Sequence, residues 1–118
     1  MAKQVIYGVC PSKSNSYRII TINGHGSLAK TKAVKEYEKS FYLQCNLYRN
    51  KGIEGLFEFH MDVYYPSNRS DIDGSTKVVL DNLQKVGAIK NDNKCVRLVL
   101  NKYVDKVNPR IEFEIIEL

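Results

Sequence analysis

From Leu56 to Tyr65 the chain alternates apolar and polar side chains with almost no break: Phe57, Phe59, Met61, Val63 and Tyr65 are interleaved with Glu58, His60, Asp62 and Tyr64. A period of two belongs to a β-strand and cannot be read on one face of a helix. This stretch therefore belongs in a sheet with one face in a core and the other polar, and Pro66 closes it. Its apolar face needs a cover. From about Ala29 to Tyr48 the period changes: Ala33, Tyr37, Phe41, Cys45 and Tyr48 recur at spacings that line one side of a helix, while Lys32, Lys35, Glu36 and Lys39 take the other. Asn50-Lys51-Gly52 ends that helix. A second helix is expected from about Gly74 to Val86, with a Val79/Leu83/Val86 stripe and Gly87 as its stop.

Four further runs read as strands: Gln4 to Val9, Tyr17 to Ile22, Cys95 to Tyr103 and Ile111 to Ile116. The last two are expected to form a hairpin across Asp105 to Pro109. Pro11 to Ser16 is a polar turn, and Asn23-Gly24-His25-Gly26-Ser27 reads as a loop with two glycines. The order is then β-β-α-β-α-β-β, an α+β domain with two helices packed on a mixed sheet. No repeat or linker interrupts it, so residues 1–118 are expected to form one domain.

The 18 Lys and Arg against 13 Asp and Glu leave a net charge of +5. A basic balance favours polyanionic partners, nucleic acid first. Yet Asp71, Asp73, Asp81 and Asp92 fall within one stretch of this basic chain. A basic surface with an acidic hollow suits a metal-dependent nuclease, in which lysines hold phosphates and carboxylates hold the cation. The apolar runs are too short to span a membrane and no signal segment follows Met1-Ala2-Lys3, so a cytoplasmic protein is expected. Cys10, Cys45 and Cys95 are odd in number and lack metal-ligand spacing, so they read as reduced thiols, with Cys45 and Cys95 as small core residues.

Asp71 and Asp73 stand two apart. In an extended segment such residues point to the same side, roughly 6–7 Å apart, where two carboxylates can share a hard cation. An EF-hand is excluded, because Thr76 and Asn82 stand where its loop needs Gly and Glu. Lys77 falls in the first turn of the second helix and shares a face with Asp81. A cation there opposes the helix dipole, which points to a task such as meeting a phosphate or balancing carboxylates. Asp92 lies in the loop Lys90 to Lys94, and reaches the helix only if the next strand lies beside the strand before it, as in a β-α-β unit. Taken singly, each aspartate reads first as a cap or turn residue.

Together the positions are more specific. Asp71-Ile72-Asp73-Gly74-Ser75-Thr76-Lys77-Val78-Val79-Leu80-Asp81-Asn82-Leu83, followed by Asn91-Asp92, resembles the signature of RusA-type Holliday-junction resolvases. That signature is D-x-D-N-x-x-K-x-x-x-D-x-L, then D-D at the start of a strand. The register agrees at both aspartates, the lysine, the helix aspartate, the leucine and the distal aspartate. Lys102 also falls where the family usually carries a basic residue. Gly74 replaces the family's Asn, and Asn91 replaces the first of its paired distal aspartates.

The resemblance implies a structure-specific endodeoxyribonuclease that resolves four-way DNA junctions by paired symmetric nicks and leaves 5′-phosphate ends. Asp71, Asp73 and Asp92 would hold Mg²⁺ (or Mn²⁺ in its place), with Lys77 stabilising charge at the scissile phosphate. Symmetric nicking implies a two-fold homodimer. Arg69, next to Asp71, is the first candidate for DNA contact, with Lys13, Arg18, Lys90, Lys94 and Lys102 beside it. His25 and His60 lack partners that would mark a general base, while Tyr64 and Tyr65 flank the strand end near the site. A non-catalytic nucleic-acid-binding module and a nuclease of looser flap or fork selectivity remain open alternatives.

Overall fold

The computed structural model describes residues 2–12 and 17–118, apart from the side chains of residues 17–19, 22, 27 and 28. The elements are β1 (Gln4–Tyr7), β2 (Tyr17–Ile22), β3 (His25–Lys30), α1 (Lys32–Gln44), β4 (Phe57–Tyr65), α2 (Thr76–Lys85), a one-turn 3-10 helix (Asp92–Lys94), β5 (Cys95–Val104) and β6 (Arg110–Glu117). The class is α+β, with a four-stranded mixed sheet in the order β1-β6-β4-β5 and a two-stranded sheet of β2 and β3. No helix among the described residues is long and apolar enough to cross a membrane.

The alternating stretch is the centre of the larger sheet. Every odd-numbered residue of β4 is buried and every even-numbered one half-buried. Its core face shares one cluster with Ile111, Phe113 and Ile115 of β6, Tyr37 and Phe41 of α1, and Val79 and Leu83 of α2. Phe113 sits at the middle, its ring 6.0 Å from that of Phe41 and 5.6 Å from that of Phe59. The opposite face is polar and laced with ion pairs, among them Lys3 with Asp62 and Glu112, Arg97 with Glu58, and Arg110 with Glu112. His60 belongs to this face, with Nε2 3.0 Å from Glu58. Cys45 and also Cys10 are buried, Cys95 is half-buried, and all three are free thiols.

Three expectations need correction. The stretch Asn23 to Ser27 is not a loop, because strand β3 already begins at His25. Asn23 and Gly24 have φ of 50° and 79°, and Ile22 pairs with His25. Two successive positive φ angles make the tight turn whose twist matches a hairpin, for which Asn-Gly is the favoured pair.

The first helix is shorter than its apolar period. Ala29 and Lys30 belong to β3, Thr31 caps the helix by accepting from the Val34 N–H, and Val34 rather than the exposed Ala33 opens the buried stripe. Past Gln44 the chain turns, yet Cys45 and Tyr48 stay buried, so the apolar spacing outlasts the helix.

Strands β5 and β6 do not form a hairpin. β6 pairs antiparallel with β4 and β5 pairs parallel with its other edge, so β4 lies between them. The Asp105 N–H donates to the Tyr65 carbonyl at 2.8 Å, which carries the connection across the end of β4. The Asp105 carboxylate then folds the loop by accepting from the N–H groups of Val107 and Asn108 and from Arg110. A short loop with turn residues looks the same in sequence whether it joins neighbours or steps over one strand.

Candidate active site

Parallel pairing of β4 with β5 demands a crossover, and α2 supplies it. The crossover leaves β4 at Tyr65 and at once makes two tight turns. The Gly74 N–H donates to the Asp71 carbonyl at 3.0 Å, and the Thr76 N–H donates to the Asp73 carbonyl at 3.2 Å. Asp71 and Asp73 thus stand on a turn, not in the extended segment that their spacing suggests, and both are exposed. Asp73 is not the helix cap. Ser75 takes that position, and its hydroxyl is used elsewhere: Oγ lies 2.8 Å from the Tyr65 hydroxyl and donates to the Pro11 carbonyl at 3.1 Å. The Tyr65 hydroxyl is also 3.3 Å from the Asp71 carbonyl. These buried hydroxyls fix the turn to the end of β4 and to the segment around Pro11. Gly74 fits closely into that packing: a Cβ there would fall 3.2 Å from the Asp71 carbonyl oxygen, a contact that asks the turn to give slightly, and 3.4 Å from Ser12 Cβ.

Along α2, Lys77, Asp81 and Gln84 follow at helical spacing and share one face. Lys77 Nζ lies 3.0 Å from Asp81 Oδ1 and 2.9 Å from Asp92 Oδ2. Gln84 completes the junction, its Oε1 accepting the Asp92 backbone N–H at 2.8 Å. Sequence reading passes over Gln84, although it lies one helical step beyond the Lys77/Asp81 pair. The hydrogen bonds to Asp92 and then Asp81 outweigh desolvation and hold the Lys77 ammonium well above the usual lysine range. It stays charged at any pH at which the protein works. Asn91 caps the 3-10 helix, its Oδ1 accepting from the Asn93 N–H at 3.0 Å.

The other candidates divide between the two ends of α2. Arg69 is exposed on the loop before Asp71, and Lys102 Nζ donates to the Asn68 carbonyl of that loop at 3.4 Å. Lys90 and Lys94 are exposed on either side of Asp92. Lys13 lies outside the described residues, as does the side chain of Arg18, whose backbone belongs to β2. Tyr64 faces away from the site, stacked 4.9 Å from Tyr103 with the Arg110 guanidinium 3.8 Å above its ring. Exposed His25 opens β3.

A hard divalent cation asks for oxygen donors. Asp71 and Asp73 have that chemistry, and their carboxylates make no hydrogen bond or ion pair among the described residues. Asp92 is engaged with Lys77 instead. Among the described residues no three Asp, Glu, His or Cys side chains stand close enough together to hold a metal ion. The donor types fit such a cation, therefore, while the single chain keeps the third carboxylate apart from the first two. Two exposed carboxylates on the turn ahead of α2, and an ammonium on α2 held between Asp81 and Asp92, are groups suited to work on a phosphate ester. Residues 10–116 match the family model described as endodeoxyribonuclease RusA. No curated protein matches the chain.

Proposed function

Because the chain belongs to the RusA endodeoxyribonuclease family, we propose that it resolves four-way DNA junctions by hydrolysing phosphodiesters at Asp71, Asp73, Lys77 and Asp92. The observation that carries this reading is the 2.9 Å contact between Lys77 and Asp92. It unites two positions of the family motif that lie in different elements, one in the crossover helix and one ahead of β5.

Mg²⁺, or Mn²⁺ in its place, is the cofactor we assign to Asp71 and Asp73, with Asp92 as the third carboxylate. When bound, such a cation polarises the phosphate and lowers the pKa of an attacking water. The chain's own part follows from its contacts. For Asp92 to join the other two carboxylates it must exchange its ion pair with Lys77. Of the three donors of the Lys77 ammonium, Asp81 and Asp92 take two, and that exchange would free a second for the non-bridging or leaving oxygens of the phosphate. Arg69 and Lys102 flank the Asp71 turn and would hold the DNA backbone on that side. Lys90 and Lys94 would do so beside Asp92. Two symmetric nicks, each leaving a 5′-phosphate, call for a homodimer with two-fold related sites. The setting is the cytoplasm of a bacterial or phage-infected cell.

The test is a synthetic four-way junction incubated with Mg²⁺ and the wild type or Asp71→Asn. Paired nicks by the wild type and none by the variant are expected. Binding without nicking would replace this reading with that of a nucleic-acid-binding module. Equal cutting of flap, linear duplex and junction would remove the junction selectivity and keep the nuclease.

A further inference from the structure

The pairing of Lys77 with Asp81 is hard to explain as helix stabilisation. An acidic residue four positions before a lysine supports a helix better than the reverse order found here. Lys77 also lies in the first turn, where the helix dipole disfavours a cation, and the helix carries no acidic residue in that turn to offset it. The lysine side chain is 62 % exposed, so the pair adds little to folding. What the pair does is geometric. Asp81 holds the ammonium on the side of α2 that faces Asp92, and Gln84, one step further along, holds the backbone of Asp92 against the same face.

We infer that Asp81 is a positioning residue for Lys77. Its carboxylate keeps the ammonium over the site when Asp92 exchanges partners, so that Lys77 meets the phosphate already oriented. A lysine has four rotatable bonds and swings freely once a single contact is lost. With two carboxylate partners, loss of one still leaves it tethered. Asp81 itself touches neither DNA nor cation in this arrangement. The inference rests on the nuclease reading, to which it adds a residue.

Asp81→Asn and Asp81→Glu test it. Junction cutting is measured in single turnover with Mg²⁺, and junction affinity is measured separately in EDTA. The order of the Lys77 side chain is followed by NMR relaxation in Asp92→Ala, where Asp81 is left as its carboxylate partner, with and without Asp81→Asn. For Asp81→Asn the single-turnover rate should fall by about tenfold to a hundredfold, the cost of a misplaced group. Junction affinity and the thermal midpoint should stay at wild-type values. The Lys77 side chain should become more mobile, and Asp81→Glu should recover most of the rate. A wild-type rate in Asp81→Asn, a loss that Asp81→Glu does not recover, or unchanged Lys77 order would each overturn the inference. If the wild type cuts no DNA at all, the nuclease reading itself fails, a result that no Asp81 variant can produce.

Discussion

The hydroxyls of Tyr65 and Ser75 lie 2.8 Å apart in the interior and join the last residue of β4 to the residue that starts α2. Between them runs the turn that presents Asp71 and Asp73, and this contact helps to hold it, beside those of Tyr65 with the Asp71 carbonyl and of Ser75 with the Pro11 carbonyl. In Tyr65→Phe the ring still fills its place while Ser75 and the Asp71 carbonyl lose a partner. A loss of about 1–2 kcal/mol in urea unfolding is expected. Amide exchange at residues 71–74 should accelerate more than exchange in β4. Equal protection in both variants would show that the turn is held by something else.

Gly87 ends α2 with φ of +76°, and a Cβ there would meet Asn50 Oδ1 at 3.1 Å. The same point is tied across to the segment after α1, since the Asn50 N–H donates to the Val86 carbonyl and the Gly52 N–H to that of Gly87. Gly87→Ala should cost about 1–2 kcal/mol from backbone strain alone, measured as a lower urea midpoint with an unchanged slope. An alanine variant as stable as the wild type would mean that this turn relaxes freely.

Burial pushes the Cys10 thiol up to about 11. In the unfolded chain it ionises near its ordinary value of 9.0, so above that pH the unfolded state has lost a proton that the native state keeps. Stability should therefore fall as pH rises from about 9 and stop falling near 11, by about 2–3 kcal/mol at most. Cys10→Ala should have a shallower alkaline slope, the remainder coming from Cys45 and Cys95, whose thiols burial also pushes up. At pH 8 iodoacetamide should modify the half-buried Cys95 well before Cys10 or Cys45, which mass spectrometry of the native protein would read directly.

Glu38 on α1 accepts from Lys30 at 2.7 Å and from Lys85 of α2 at 2.5 Å. Burial by itself would raise its carboxyl, but the two lysines outweigh that and hold it below the ordinary 4.5. A depressed carboxylate stabilises the fold above its unfolded value, and that contribution disappears as pH falls through the native one. Between pH 6 and 3 the wild type should lose stability more steeply than Glu38→Gln, its advantage over the variant shrinking below about 4.5. Parallel curves would show that the lysines do not hold a charged partner.

Much of this was legible in the chain because it rests on local periodicity. The β4 alternation and the Val79/Leu83 stripe each follow from one element's own pattern. The β3 hairpin was within reach too, through Asn23-Gly24, but two nearby glycines resemble a plain loop. The neighbours of β4 were not legible, since strand order depends on which edges compete for it and a five-residue connection fits either answer. At the site, the motif residues could be named only as a set, from their resemblance to the family signature. The meeting of Lys77 with Asp92 could not, because it depends on where the crossover returns the chain, and Gln84 has no chemical signature until that return is known.

The sheet order places β6 between β1 and β4, so one edge of β4 stays open until Arg110–Glu117 has been made. A nascent chain that has reached β5 already carries every motif aspartate and Lys77. It still lacks the strand that seals the centre of its sheet. A chain made only that far thus holds the motif residues without the frame that places them, and exposes a bare hydrophobic strand edge to its neighbours.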